Sequence, residues 1–265
     1  MASASAIISS ESIARKFAAL RADSRRALVC YVTAGHPSRS ATVELLEGLD
    51  AAGADVIELG VPFSDPVADG PVIQESSAAA LANGMTLDGA LDVLRDARVS
   101  APVVLFTYLN PLLAAGPGVL DRAAAAGVAG MLVTDLPLGA DPEREAWLSA
   151  SGLDFIRLVA PTTPESRLAG ICEHGSGFVY LISRMGVTGT REEAPADVAP
   201  MVRRLRTVTD LPVCVGFGIS TPAQARAVAQ VADGVVVGSA IVKAAGRSVD
   251  AAVNLVRSMR EAMDG

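Results

Sequence analysis

A regular alternation of short apolar runs with helix-like windows constrains this chain more than any other feature. Eight runs read as strands: Ala27–Thr33, Asp55–Leu59, Val103–Tyr108, Gly130–Thr134, Phe155–Leu158, Val179–Ile182, Pro212–Val215 and Gly234–Val237. Most lack a polar residue at every second position and are rich in Val, Ile and Leu, as strands are when both faces of a parallel sheet are covered. Helical windows separate them at Arg39–Ala52, Leu87–Ala97, Gly118–Ala126, Pro142–Ser151, Pro164–Glu173, Ala196–Val208, Pro222–Gln230 and Ser248–Met263. One further helix, Ser12–Ala22, precedes the first strand. Gly53, Gly127, Gly152 and Gly175 fall where helices should end. Eight strand–helix units with no linker between them predict one domain over residues 1–265, a (β/α)8 TIM barrel with an extra N-terminal helix. A doubly wound open sheet is the alternative, but it rarely needs eight regular units.

Composition narrows the function classes. The chain is 51% hydrophobic and 19% charged, which suits a large buried core. Its net charge of −7, with no basic run, argues against nucleic acid or an anionic membrane as partner. No apolar run approaches the ~18 residues that span a bilayer. The N-terminus lacks the basic start and long apolar stretch of a signal peptide, so a cytoplasmic protein is expected. Cys30, Cys172 and Cys214 make no CxxC pair and lie in or beside apolar segments, as reduced structural thiols would. Two histidines, His36 and His174, offer no metal-ligand spacing.

In such a barrel the active site lies at the C-terminal ends of the strands. The second strand and the loop after it, DVIELGVPFSDPVADGP, carry Glu58, Asp65 and Asp69. Glu58 ends an apolar run, where a charged side chain is costly without a purpose. Glu58 and Asp69 read as parts of an acid–base site; the plainer reading has Glu58 capping a helix and both aspartates starting turns. Gly216-Phe217-Gly218-Ile219-Ser220 follows the seventh strand and Gly238-Ser239-Ala240-Ile241 the eighth, where phosphate-binding barrels hold their anion. Tight βα turns would use the same glycines. Gly186-Val187-Thr188-Gly189, after the sixth strand, is a third cluster that could close over the anion. The only lysines are Lys16 and Lys243, neither at a central strand end, so a Schiff-base aldolase is not expected. No Ser–His–Asp order and no GxGxxG after the first strand are present. Carboxylate acid–base chemistry on a phosphorylated small molecule remains.

Those motifs carry a resemblance. ELGVPFSDPVADGP, Tyr180-Leu181-Ile182-Ser183-Arg184 followed by Gly186 to Gly189, GFGIS, and Gly238 to Lys243 resemble the tryptophan synthase alpha subunit in order and spacing over essentially the whole chain. The resemblance implies a phosphate-binding TIM barrel that cleaves indole-3-glycerol phosphate to indole and glyceraldehyde 3-phosphate. The indole would pass to a beta subunit in an alpha2-beta2 tetramer. No cofactor is implied in this chain; pyridoxal phosphate is expected only in the partner.

Matched by position, Glu58 and Asp69 correspond to the family's catalytic carboxylates, and Tyr180 to the tyrosine near the reacting carbon. Gly189, Phe217, Gly218, Gly238 and Ser239 match its phosphate loops, and Asp135 an aspartate ending the fourth strand, grouped with the substrate-binding set. Arg184 to Thr188 match the lid after the sixth strand, with Thr188 ordering it around Asp69. Pro62, Asp65 and Pro66 match the loop that touches the beta subunit. Met185 replaces a usually small lid residue, and Asn110-Pro111-Leu112-Leu113 finds no residue-by-residue counterpart. Under this reading Glu58, with a raised pKa, protonates the indole ring and later takes the hydroxyl proton, while ionised Asp69 balances the cationic nitrogen. Tyr180 helps hold Glu58 or the substrate, or is a core tyrosine. Phe63, Phe217 and Leu136 are candidates for apolar walls. The alternatives are a free-standing indole-3-glycerol-phosphate lyase and a non-catalytic regulatory subunit.

Overall fold

The computed structural model describes residues 12–182, 198–216 and 218–265. The first half of the chain runs α1 (Ile13–Ala22), β1 (Ala27–Thr33), α2 (Arg39–Ala51), β2 (Val56–Gly60), α3 (Pro71–Ala82), α4 (Leu87–Asp96), β3 (Val103–Thr107), α5 (Leu109–Ala114), α6 (Val119–Ala125) and β4 (Val128–Val133). It continues α7 (Pro142–Ser149), β5 (Asp154–Phe155), β6 (Arg157–Val159), α8 (Glu165–Glu173), β7 (Val179–Ile182), α9 (Val198–Leu205) and β8 (Val213–Gly216). The chain ends α10 (Pro222–Ala229), β9 (Gly234–Val237), α11 (Ser239–Ala245) and α12 (Val249–Asp264).

All pairings are parallel, in the order β5-β4-β3-β2-β1-β9-β8-β7-β6. The two ends of that order are one stretch of chain. β5 and β6 flank Ile156, β5 pairing with β4 and β6 with β7, so Asp154–Val159 is a fifth barrel strand that changes partners midway. The barrel is thereby closed with eight strand positions, and the single strand expected at Phe155–Leu158 is split in two.

Strand alternation sorts the buried residues into two cores. Ala27, Val29, Val56, Val104, Leu132, Ile156, Phe178, Cys214 and Val236 fill the barrel, joined by Ile13, Phe17 and Leu20 of α1. The extra helix therefore plugs the N-terminal end of the barrel, with Phe17 and Phe178 rings 5.8 Å apart. Residues one position along each strand, such as Leu28, Ile57, Leu105, Val179 and Val235, pack outward under the helices. All three cysteines are buried and free.

Three helices lie where the sequence reads as loop. α3 begins at Pro71 after Gly70, a favourable first-turn proline, but its Ala- and Ser-rich face shows little helical periodicity. α5 has six residues, and α11 begins inside the stretch read as a glycine loop.

A buried ion pair ties the last helix to the start of β2. Arg260 of α12 donates to Asp55 at 3.0 Å and to the Arg26 carbonyl at 3.0 Å, while the same Asp55 oxygen accepts the Leu28 N–H at 2.8 Å. Removing one partner of such a pair strands a buried charge. Arg260→Ala is expected to lower unfolding free energy by about 3–5 kcal/mol, measured by urea denaturation; a loss below about 1 kcal/mol would show that Asp55 is satisfied by the backbone alone.

Candidate active site

β2 aims Val56, Glu58 and Gly60 into the barrel because its alternate residues, Ile57 and Leu59, belong to the outer core. Glu58 is 1% exposed and stands opposite Tyr31 of β1 and Val104 of β3. Its Oε1 has no hydrogen-bond partner. Burial disfavours the charged carboxylate and pushes its pKa up to about 8. Glu58 is thus a protonated acid near neutrality, unlike an ordinary surface glutamate.

Asp69 lies in the loop between β2 and α3. Burial raises its pKa, and a hydrogen bond from Tyr108 opposes that rise. Gln74, in the first turns of α3, donates to the Asp69 carbonyl at 2.9 Å and holds the loop. Tyr108 ends the segment after β3; its hydroxyl accepts the Ala68 N–H at 3.0 Å, and its ring lies 5.0 Å from that of Phe63. Phe63 therefore braces Tyr108. Leu136 packs into the outer core rather than into the mouth. An apolar surface near Glu58 comes instead from Phe106, edge-on to Tyr31 at 5.2 Å, beside Ile73 and Val242.

The chain has three tyrosines, and all three surround this mouth. Tyr31 is within electrostatic range of both Glu58 and Asp69, and Tyr180 of Glu58. Two strand glycines make room for the rings. A Cβ on Gly60 would collide with the Tyr31 hydroxyl, and one on Gly216 would sit 2.5 Å from that of Tyr180. Tyr31 and Tyr108 were not singled out from sequence. Their signal was an inward strand position and a strand-end position, which is weak among so many buried aromatics.

Across the mouth, Gly238 precedes α11 without a side-chain cap, leaving the first N–H groups of that helix free of intrahelical acceptors. Ser239 is the exposed first residue of α11, and Gly218 takes a left-handed conformation, φ 80°. Unpaired N–H groups at a helix start favour a nearby anion. Asp135 Oδ1 accepts the Leu109 N–H at 2.8 Å. Asp65 is exposed and accepts from the Ser64 hydroxyl at 2.6 Å; Pro62 is buried and Pro66 half-buried. Arg184, Met185, Thr188, Gly189 and Phe217 lie outside the described residues.

Residues 17–264 match the family model described as tryptophan synthase alpha chain. The chain belongs to the tryptophan synthase alpha chain family. The tryptophan synthase alpha chain of Caulobacter sp. strain K31 is 49% identical over 254 residues, covering 94% of this chain and 90% of the relative. That of Phenylobacterium zucineum is 50% identical over 240 residues, covering 89% and 86%. Among solved structures, a Mycobacterium tuberculosis tryptophan synthase chain superposes with TM-score 0.88 at 36% identity, covering 96% of this chain and 98% of that one. The tryptophan synthase subunit alpha of Legionella pneumophila gives 0.87 at 35%, covering 95% and 98%. The chain is accordingly a lyase of tryptophan biosynthesis, acting on indole-3-glycerol phosphate.

The raised pKa of Glu58 ties stability to pH. Between the ordinary glutamate pKa and about 8 the folded protein holds a proton that the unfolded chain releases. The stabilisation from the neutral carboxyl is complete below the unfolded pKa and is lost as pH rises through the folded one. Glu58→Gln keeps a neutral side chain, so its stability relative to wild type should climb by up to ~1.4 kcal/mol per pH unit from about pH 5 to 8, then level off. Denaturation curves that run parallel at every pH would show that Glu58 titrates normally.

Proposed function

We propose that Glu58 and Asp69 divide the acid–base work of indole-3-glycerol phosphate cleavage. The observation that carries this reading is the burial of Glu58 inside the barrel, midway along β2, with an unpartnered oxygen; that burial pushes its pKa up to about 8. Breaking the bond between indole C3 and the side chain directly would leave an unstable carbanion. Protonated Glu58 instead gives its proton to C3, and the ring nitrogen becomes cationic. The resulting Glu58 carboxylate accepts the proton of the side-chain hydroxyl. The C–C bond then breaks, its electrons return to the ring, and the oxygen becomes the aldehyde of glyceraldehyde 3-phosphate. One carboxyl thus acts first as acid and then as base.

Asp69 accepts the indole N–H and, ionised, balances the cationic ring. Its hydrogen bond from Tyr108 supports that charge state. Tyr180, beside Glu58 in the barrel, packs against the reacting carbon. Gly218, Gly238 and Ser239 hold the phosphate, a role supported by the free N–H groups opening α11. Phe217 and Gly189 complete the phosphate loops, and Arg184 with Thr188 belongs to the lid over Asp69. Pro62, Asp65 and Pro66 form the partner loop.

The exposure of Asp65 and of Val67, at 86%, supports docking to a beta subunit. We take the assembly to be an alpha2-beta2 tetramer, with indole passed to a beta subunit that carries the pyridoxal phosphate. The chain acts as one domain, in the cytoplasm. Among the described residues no helix is long and apolar enough to cross a membrane.

Indole release with and without the beta subunit tests this reading. Glu58→Gln should lower turnover by about 10²–10⁴-fold, the range for a general acid–base group, with little change in KM. Near-wild-type cleavage by that variant would remove Glu58 from the mechanism. The wild-type rate should also fall as pH rises through about 8, where Glu58 loses the proton it must donate; a rate that stays flat to pH 9.5 would contradict a protonated starting state.

A further inference from the structure

The turn after β3 is built in an unusual way. Tyr108 occupies the position before the first turn of α5, where Ser, Thr, Asp or Asn normally caps the helix with its own side chain. It makes no such bond. Its side chain is used across the mouth, where the hydroxyl accepts the N–H of Ala68, the residue before Asp69, at 3.0 Å and lies within electrostatic range of the Asp69 carboxylate. The cap missing at Tyr108 comes from the next loop: Asp135 Oδ1 accepts the N–H of Leu109, the first residue of α5, at 2.8 Å. Thr134, beside Asp135, adds its N–H and hydroxyl to the Thr107 carbonyl at 3.0 and 3.3 Å. The loops after β2, β3 and β4 are therefore joined in series, from Asp135 through Leu109 and Tyr108 to Ala68 and Asp69.

We propose that Tyr108 and Asp135 are positioning residues that hold Asp69 in place for the cleavage reaction, Asp135 acting through the backbone of the β3–α5 turn and Tyr108 through its hydroxyl. This rests on the role of Asp69 given above, and it gives Asp135 a different part from a direct substrate contact. Tyr31 from β1 and Tyr108 from the β3 side are the titratable groups that face Asp69 among the described residues, while Gln74 of α3 secures its carbonyl. The Tyr108 hydroxyl, fixed by the N–H of Ala68 next to Asp69, is the side chain that opposes the rise of the Asp69 pKa among the described residues.

The test is the pH dependence of kcat/KM for indole release by the full chain. Tyr108→Phe keeps the ring against Phe63 but removes the hydroxyl, so Asp69 should hold its proton to higher pH. The acid limb should move up by about 0.5–1 pH unit, and the plateau should fall roughly 10- to 100-fold, mostly in kcat. Asp135→Ala should shift the limb in the same direction. Asp135→Asn should restore both limb and plateau, because an amide oxygen accepts the same Leu109 N–H. An unmoved acid limb in Tyr108→Phe overturns the proposal. So does an Asp135→Asn enzyme as impaired as Asp135→Ala, since that would mean the charge itself is needed. Asp69→Asn is measured alongside. If it retains cleavage, the role of Asp69 fails; if it loses cleavage while Tyr108→Phe is unshifted, only the positioning role fails.

Discussion

Closure of the sheet is the constraint on which the rest depends. A parallel sheet of this size left open would expose two rows of unpaired backbone groups. Here the two edges are a single strand, Asp154–Val159, that hydrogen-bonds β4 with its first half and β7 with its second. Ile156 sits at the changeover, its N–H donating to Met131 and its side chain inside the barrel. Closure creates an interior packed with apolar side chains at its lower levels, and α1 seals the end opposite the mouth. That apolar interior is what raises the Glu58 pKa. The same glutamate on an open sheet edge would be solvated and ionised.

The interior changes character from end to end. Near α1 it is filled by Phe17, Phe178, Val29 and Val56; toward the strand C-termini it is filled by tyrosines and Glu58. Gly60 and Gly216 make that change sterically feasible, since any side chain there would occupy the space of a tyrosine hydroxyl. The polar groups of the mouth sit on strand ends, which are rigid, or on loops tied back to them. Asp69 is of the second kind, fastened by Gln74 behind it and Tyr108 across from it. The charge-balancing role proposed for Asp69 would gain from such fastening, because a charge fixed beforehand needs no reorganisation during the reaction.

Much of the architecture was legible in the residues. β1, β7 and β9 have the limits read from the apolar runs, with Asp233 and Gly238 bracketing β9, Arg26 preceding β1 and Ser183-Arg184 following β7. The fifth strand was legible as a strand but not as two, since a change of partner leaves no mark on hydrophobic pattern. α3 and α11 were missed for related reasons: α3 is mostly small residues with little helical period, and α11, at seven residues, is too short to show one. At the site, Glu58 and Asp69 stood out as acids in an apolar, proline-rich setting. Tyr31 and Tyr108 did not, because a tyrosine in a strand resembles any other core aromatic.

The sequence by itself determined the alternation, and with it the number of barrel strands and the end of the barrel where chemistry must lie. It also determined which residue types reach that end, and through the ELGVPFSDPVADGP string, the family. Only the tertiary structure decided how strongly burial acts on each acid, raising the Glu58 pKa to about 8 and that of Asp69 against an opposing hydrogen bond, because that depends on how many atoms from other strands exclude water from each carboxyl. It alone decided, too, that Asp135 bonds to the backbone of a neighbouring loop and that Tyr108 spans from β3 to Asp69. Those contacts join residues 26 and 39–40 positions apart, and no local pattern encodes a partner that only barrel closure brings near.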